Sequence, residues 1–132
     1  GITPIICVGE TLEEREANIT NNIIKEQVVH AFEGISNPAE TVVAYEPVWA
    51  IGTGMTATPE QADEVCGFIR SLIAELYGEE SAQALRIQYG GSMNAKNAAV
   101  LMSMPNIDGG LIGSASLNAE DFSKIVHYDR KD

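Results

Sequence analysis

Glu46 has the sequence surroundings most typical of a catalytic acid or base. It follows an apolar run at residues 42–45, and Pro47 and a glycine-rich stretch at residues 48–54 come directly after it. Because proline fixes its own φ and biases the preceding residue towards extended geometry, Glu46 is predicted to lie at a strand end. A carboxylate held there beside a mobile loop is suited to proton transfer, although a solvated glutamate before an ordinary loop would show the same pattern.

Glycine-rich segments follow the other predicted strands. Gly9 ends the first apolar run, and two further segments lie at residues 90–92 and 113–114. Glycine lets the backbone approach a ligand closely, and free N–H groups at helix starts bind anions. Each segment alone could be only a turn, but their recurrence at successive strand ends favours one shared phosphate site made of main-chain amides.

Four apolar runs predict strands, and an amphipathic segment after each run predicts a helix. The strands are expected at residues 5–8, 41–45, 85–89 and 107–112, and the helices at about 12–32, 59–77, 95–102 and 119–126. Each helix has a start signal, either a capping box or a capping asparagine. These signals are Thr11 with Glu14, Thr58 with Gln61, Asn94, and Asn118.

Apolar residues at helical spacing predict the inward face of each later helix. In the helix at 59–77 these are Ala62, Val65, Cys66, Ile69, Leu72, Ile73 and Leu76. In the last two helices they are Ala98, Leu101, Met102, Phe122, Ile125 and Val126.

The order of four βα units predicts a parallel sheet with right-handed crossovers. It fits either a small doubly wound sheet or half of an eight-stranded barrel. Half of a barrel would expose about six of the side chains that fill a closed one, so we expect it to be marginally stable or to need a partner. In either architecture the functional residues lie at the carboxyl ends of the strands.

Composition limits the classes of partner. The net charge is −11, which argues against nucleic acid and anionic membranes, and no apolar run is long enough to span a bilayer. Cys7 and Cys66 are predicted to be buried, unpaired thiols, typical of a reducing, cytoplasmic compartment. No metal or cofactor is expected. Because the chain opens on Gly1 just before a strand, we expect a piece of a longer protein.

Four ordered motifs resemble triosephosphate isomerase. They are Ile-Cys-Val-Gly-Glu at residues 6–10, Tyr-Glu-Pro-Val-Trp-Ala-Ile-Gly-Thr-Gly at 45–54, Tyr-Gly-Gly-Ser at 89–92, and Gly-Ser-Ala-Ser-Leu at 113–117. The resemblance covers the second half of that family's chain. It implies that residues 1–132 form a single (βα)4 half-barrel, half of a (β/α)8 TIM barrel.

The resemblance also implies the chemistry of the site. Glu46 is expected to be the base that moves a proton between two carbons of a triose phosphate through an enediolate. Residues 47–56 are expected to form a lid over the site. The phosphate is expected to be bound by Gly52, Ser92, Gly113 and Ser114.

Further residues are expected to control the lid. Ile51 and Leu111 would close over Glu46, and Tyr89 would hold the closed lid, although it could instead serve only as a barrel-layer residue. Trp49 would act as a hinge with Glu10 as its partner. Ser114 stands where the family commonly has glycine, so binding through its N–H requires an ordinary φ at that position.

The family's oxyanion-stabilising lysine and histidine belong to the first half and match no segment here. The expected partners are therefore a triose phosphate and an amino-terminal half-barrel that carries those two residues. The full-length enzyme is expected to be a cytoplasmic homodimer acting in glycolysis and gluconeogenesis. The alternative from another class of protein is an inactive half-barrel scaffold that self-associates to cover its open face.

Overall fold

The computed structural model describes residues 1–130, and the last two residues of the predicted domain, 131 and 132, lie outside the described residues. Four parallel strands form one sheet in chain order: β1 (Ile5–Val8), β2 (Val42–Tyr45), β3 (Arg86–Tyr89) and β4 (Gly109–Gly110). The register pairs Val8 with Tyr45 and Tyr45 with Tyr89, so the carboxyl ends of the first three strands are level. The expected half of a (β/α)8 barrel is confirmed.

Helices connect the strands. They are α1 (Leu12–Glu16) and α2 (Thr20–Ala31) after β1, α3 (Pro59–Tyr77) and α4 (Glu79–Ala84) after β2, α5 (Ala98–Met102) after β3, and α6 (Ala119–Val126) after β4. Short 3-10 turns occupy Pro38–Glu40, Val48–Ala50 and Ser114–Leu117. No helix within residues 1–130 is both long and apolar enough to cross a membrane.

Three of the four predicted helix starts are confirmed, because their capping contacts lie within four residues, and the start predicted at Asn94 is wrong. Thr11 with Glu14 and Thr58 with Gln61 each form a complete capping box. Asn118 caps α6 by accepting the Asp121 N–H at 3.0 Å. Asn94 instead accepts the N–H groups of residues 96 and 97 in a turn, and α5 begins only at Ala98.

Two predicted elements have different bounds. The helix expected at residues 12–32 is broken into α1 and α2 because Asn18 adopts a positive φ of 58°, a conformation that asparagine tolerates. The strand expected at residues 107–112 is assigned only at Gly109–Gly110, which pairs with β3 on one side. Backbone bonds from Asp108 N–H to Ile87 C=O and from Leu111 N–H to Tyr89 C=O extend the same pairing. Helix α4 was not predicted.

One face of the sheet carries the core. Alternate strand residues point towards the helices and belong to one buried cluster that also includes Ile24, Ile69 and Ile73. Cys66 is buried as predicted, but Cys7 is exposed, so the prediction that both thiols are buried is wrong. Cys7 lies on the other face of β1, which no second layer covers within residues 1–130.

The inner face of the sheet is less apolar than expected. Because side chains alternate along a strand, this face carries Ile5, Cys7, Val42, Ala44, Arg86 and Gln88. Among its apolar and thiol side chains, only those of Ile5 and Cys7 are exposed. Arg86 on this face is also exposed, and Val42 and Gln88 are half-buried, so only Ala44 of the six is fully buried.

Three predicted inward residues face solvent instead. Leu76 is exposed because Tyr77 makes the contact at that end of α3, donating its hydroxyl to the carbonyls of Phe32 and Ile35. Phe122 and Val126 are exposed because they line an apolar groove beside β4 that no element of residues 1–130 covers.

Arg70 joins the later elements to the core. Its guanidinium donates to Asp108 Oδ2 at 2.6 Å and to three backbone carbonyls, those of Ala82, Leu85 and Asn106, at 2.7, 3.0 and 3.2 Å. Because one side chain on α3 bonds residues from α4, its following loop and the segment before β4, it fixes the positions of β3 and β4.

Candidate active site

Glu46 follows β2 directly and is held by its neighbours on both sides. Its N–H donates to the Val8 carbonyl at 2.7 Å. A side chain on Gly9 would collide with the Glu46 carbonyl, and a Cβ on Gly90 would lie 2.5 Å from Glu46 Cγ. These two glycines therefore leave just enough room for the half-buried glutamate.

The Cys7 thiol also lies beside the Glu46 carboxylate. Burial raises the pKa of Cys7, and the negative charge of Glu46 and a hydrogen bond to it raise that pKa further. The thiol consequently stays protonated near neutral pH and is a poor nucleophile.

Glu10 is fully buried and accepts hydrogen bonds from three side chains. Its Oε1 accepts from Arg15 Nη1 at 2.9 Å, from the Tyr45 hydroxyl at 2.9 Å and from Trp49 Nε1 at 3.0 Å. The Arg15 guanidinium also lies over the Trp49 ring, 5.1 Å from its centroid. Burial raises the pKa of Tyr45 strongly, and Glu10 adds to that rise through its charge and the hydrogen bond. This cluster attaches the start of the predicted lid to the sheet.

The predicted lid is a tight loop after that attachment. Trp49 and Ala50 are buried in the 3-10 turn, whereas Ile51 is 46% exposed. Thr53 Oγ1 donates to the Trp49 carbonyl at 2.6 Å. Gly52 and Gly54 both have positive φ, 65° and 80°, so only glycine adopts this loop path without strain.

A cleft of about 550 Å³ lies between the lid and the last two strand ends. Its lining includes Gly52, Ser92, Gly113 and Ser114, so the structure brings together all four predicted phosphate-binding residues. Asn18 is the sole non-glycine residue with positive φ in residues 1–130, so Ser114 meets the condition set for a serine there. The lining contains no Lys, Arg or His among the described residues.

Of the other predicted residues, Ile51 belongs to the lining of this cleft and the rest lie around it. Glu46 packs against Gly90, which does line the cleft. Leu111 is half-buried, and its N–H donates to the Tyr89 carbonyl at 2.9 Å. Trp49 lies within the Glu10 cluster, and Ile51 lines the cleft from the lid side.

Tyr89 lies beneath the cleft. It is fully buried, its hydroxyl lies where a side chain on Gly91 would have to be, and that hydroxyl has no hydrogen-bond partner within residues 1–130. Burial raises the pKa of Tyr89, and the backbone N–H of Ala57, which lies near the hydroxyl without the geometry of a full hydrogen bond, opposes the rise. Ala57 directly follows the predicted lid, so the Tyr89 hydroxyl lies beside the end of that loop.

Arg15 and Tyr45 were not predicted as partners of Glu10, and Gln27 was not predicted as a functional residue. The Arg15 signal was available, because a single basic residue stands among three acids at residues 13–16. The contact of Gln27 with Gly9 joins residues 18 positions apart and has no local signature.

A sequence model described as triosephosphate isomerase matches residues 1–129. The triosephosphate isomerase of Acetivibrio thermocellus is 59% identical over 132 residues, which are 98% of this chain and 53% of the relative. That of Chlorobium chlorochromatii is 61% identical over 126 residues, 96% of this chain and 50% of the relative. The chain therefore spans about half the length of the curated relatives it matches.

Proposed function

Because the chain belongs to the triosephosphate isomerase family, we propose that it carries the base, the lid and most of the phosphate loops of an enzyme interconverting dihydroxyacetone phosphate and glyceraldehyde 3-phosphate. One observation carries the proposal: Glu46 packs on Gly90 at the edge of a cleft formed by glycine-rich loops. The proposed pathway role is in glycolysis and gluconeogenesis, in the cytoplasm, as a homodimer of the full-length enzyme.

In the proposed reaction, the Glu46 carboxylate removes a proton from carbon 1 of the ketose and returns it to carbon 2, while the proton of the carbon 1 hydroxyl moves to the carbon 2 oxygen. Breaking the carbon–hydrogen bond leaves an enediolate, whose negative charge lies on the former carbonyl oxygen. Donors aimed at such an oxygen each contribute roughly 10²–10³ in rate. The proposed donors are the lysine and histidine of the half that this chain does not cover.

The phosphate is proposed to bind through the main-chain N–H groups of Gly52, Gly113 and Ser114, with Ser92 beside them. This mode of binding reconciles an anionic substrate with a chain of net charge −11 and a cleft lining that lacks cationic side chains among residues 1–130. Backbone amides supply partial positive charge without adding a lysine or arginine.

The lid is proposed to close over bound substrate. Ile51 and Leu111 would then cover Glu46 and exclude water, which protects the enediolate from side reactions. Tyr89 is proposed to donate its unpartnered hydroxyl to the closed lid, and Trp49 to act as the hinge that Glu10 holds.

The test uses a fusion that supplies the missing half. The part of the Acetivibrio thermocellus relative that this chain does not cover is joined in front of Gly1, and turnover of both triose phosphates is measured. Glu46→Gln in the fusion should lower kcat by about 10²–10⁴, the usual contribution of a general base, while inhibition by inorganic phosphate stays within about twofold. Glu33→Gln, in the exposed turn after α2, is the matched control and should retain full activity.

The outcomes separate the proposal from its alternative. Turnover by the Glu46→Gln fusion at the parent rate would contradict the assignment of the base. β1 and β4 each have one unpaired edge, an observation that favours the self-associating scaffold. An inactive fusion together with a stable dimer of the 132-residue chain in analytical ultracentrifugation would support that alternative instead.

A further inference from the structure

Gln27 on α2 binds both polar groups of the Gly9 peptide. Its Oε1 accepts the Gly9 N–H at 2.8 Å, and its Nε2 donates to the Gly9 carbonyl at 3.1 Å. Val8 and Glu10, on either side, turn their carbonyls towards β2 and accept the N–H groups of Glu46 and Val48 at 2.7 and 3.0 Å. The N–H and C=O groups of Gly9 therefore point away from β2, towards the open edge of β1. There they bond the Gln27 carboxamide as they would bond a neighbouring strand.

Gly9, which follows β1, packs directly against Glu46, the residue that follows β2. A side chain at position 9 would collide with the Glu46 carbonyl, so the two backbones are in direct contact with no side chain between them. Any movement of the Gly9 peptide is therefore passed on to the Glu46 peptide. The neighbouring bonds to Val8 and Glu10 transmit the same movement to both ends of the Glu46–Val48 segment.

We propose that Gln27 is a positioning residue for Glu46, holding the Gly9 peptide so that the carboxylate stays at the rim of the cleft. This inference rests on the proposed function, because it assigns Gln27 a part in the same proton transfer. Gln27 does not touch the cleft, and its effect is exerted through Gly9 alone.

A primary carboxamide of this length is needed for the double contact. Glutamate offers two acceptors and no donor, so it would keep the bond from the Gly9 N–H and repel the Gly9 carbonyl. Asparagine is shorter by one methylene, and alanine makes neither bond. The series Gln27→Glu and Gln27→Ala therefore removes one and then both contacts.

A purely structural role would give a different result, because the same contact also joins α2 to β1. If the contact between α2 and β1 served only stability, its loss would lower the melting temperature and leave kcat unchanged. Loss of positioning lowers kcat with little change in KM, because the phosphate-binding loops come from the lid and from the ends of β3 and β4. Misplacement of a reacting group by about 1 Å can cost about 10²-fold in rate.

The first measurement compares kcat, KM and melting temperature of the fusion carrying Gln27→Ala, Gln27→Glu or the control Gln83→Ala. Gln83 is exposed, and within residues 1–130 its side chain bonds only Glu79. We expect Gln27→Ala to lower kcat at least about tenfold with KM within about twofold, and Gln27→Glu to be intermediate. A melting temperature that falls while kcat below melting stays at the parent value would overturn the proposal.

The second measurement needs no turnover and uses the 132-residue chain itself. Cys7 is exposed and lies beside Glu46, whereas Cys66 is buried, so alkylation by iodoacetamide as a function of pH reports the pKa of the Cys7 thiol. Gln27→Ala should lower that pKa in the same direction as Glu46→Gln, and Gln83→Ala should leave it unchanged. An unchanged pKa in folded Gln27→Ala, or in folded Gln27→Glu where alanine prevents folding, would overturn the proposal.

The two proposals fail separately. If the Glu46→Gln fusion keeps its turnover, the proposed function fails and the positioning role fails with it. If Glu46→Gln loses turnover while both Gln27 variants keep kcat and the Cys7 pKa, only the role of Gln27 is refuted.

Discussion

Tyr45 and Tyr89 are register partners at the ends of neighbouring strands, and both are fully buried, yet their hydroxyl groups have different surroundings. The Tyr45 hydroxyl lies 2.9 and 3.1 Å from the two oxygens of Glu10. The Tyr89 hydroxyl and Gln88 Oε1, both on β3, are the two buried side-chain polar atoms without a hydrogen-bond partner in residues 1–130. Polar groups are satisfied at β1 and β2 and left unsatisfied at β3.

This difference separates two functions of the strand ends. Around Glu46, the Glu10 cluster and the Gly9 contact are complete without any ligand, so the backbone that carries the carboxylate is held in place beforehand. Around the cleft, Gly113 and Ser114 are exposed, and the Tyr89 hydroxyl still lacks a partner. A proton-transfer group benefits from a fixed position, whereas a lid and a phosphate site must stay open until the substrate arrives.

The largest expected loss of stability comes from disrupting the hydrogen-bonded cluster around Glu10. Glu10→Ala removes the acceptor shared by Arg15, Tyr45 and Trp49, leaving buried donors without partners. We expect the free energy of unfolding, measured by urea titration, to fall by about 3–5 kcal/mol. Glu16→Ala, an exposed position on α1 next to Arg15, should change it by less than about 0.5 kcal/mol. Equal losses from both substitutions would show that the cluster does not stabilise this region.

The two tyrosines provide a matched pair with the next largest effect. Tyr45→Phe loses hydrogen bonds to a charged, buried carboxylate and should cost about 1.5–3 kcal/mol in the free energy of unfolding. Tyr89→Phe removes a hydroxyl that has no partner in the described residues, so it should be neutral within about 0.5 kcal/mol or slightly stabilising. Similar costs for both variants would mean that the Tyr89 hydroxyl is already bonded in the free protein.

The pH dependence of the unfolding free energy at alkaline pH should also distinguish Tyr45 from Tyr89, with a smaller effect than the hydrogen-bond losses above. Burial raises the pKa of both tyrosines; Glu10 adds to the rise at Tyr45, whereas the Ala57 N–H opposes it at Tyr89. A raised folded-state pKa gives stability that is complete below the ordinary value near pH 10 and is lost as pH rises through the folded value. Between pH 9 and pH 11 each raised tyrosine can cost up to about 1.4 kcal/mol in unfolding free energy.

Replacing Tyr45 with phenylalanine should therefore flatten the fall between pH 9 and pH 11 more than replacing Tyr89 does. Urea titrations at both pH values measure the fall for the parent chain and each variant. A steeper dependence in Tyr45→Phe than in the parent chain would contradict the direction of the shift.

Local interactions were predictable from the sequence. Thr11 with Glu14 and Thr58 with Gln61 were identified because each capping box lies within one helical turn. The strands were identified from short apolar runs, and their level carboxyl ends followed from parallel pairing. Those ends brought the four predicted phosphate-binding residues into one cleft.

Features that depend on tertiary context were not predictable. The exposure of Cys7 depends on which face of β1 lacks a covering layer, and the exposure of Phe122 on a groove that stays open beside β4. Asn18 interrupts an otherwise helical pattern through one backbone angle, which composition does not encode. Gln27 looked like an ordinary polar helix residue because its partner, Gly9, is 18 positions away.

Arg70 restricts which substitutions this sequence can accept during evolution. Its guanidinium spreads donors over four oxygens, and a lysine at that place has one ammonium group that cannot reach all of them. Asp108 receives one of those donors and also accepts the Ile87 N–H at 2.9 Å, so neither residue of the pair can change alone without leaving backbone groups unpaired. In natural homologues, exchanges at these two positions are therefore expected to occur together or not at all.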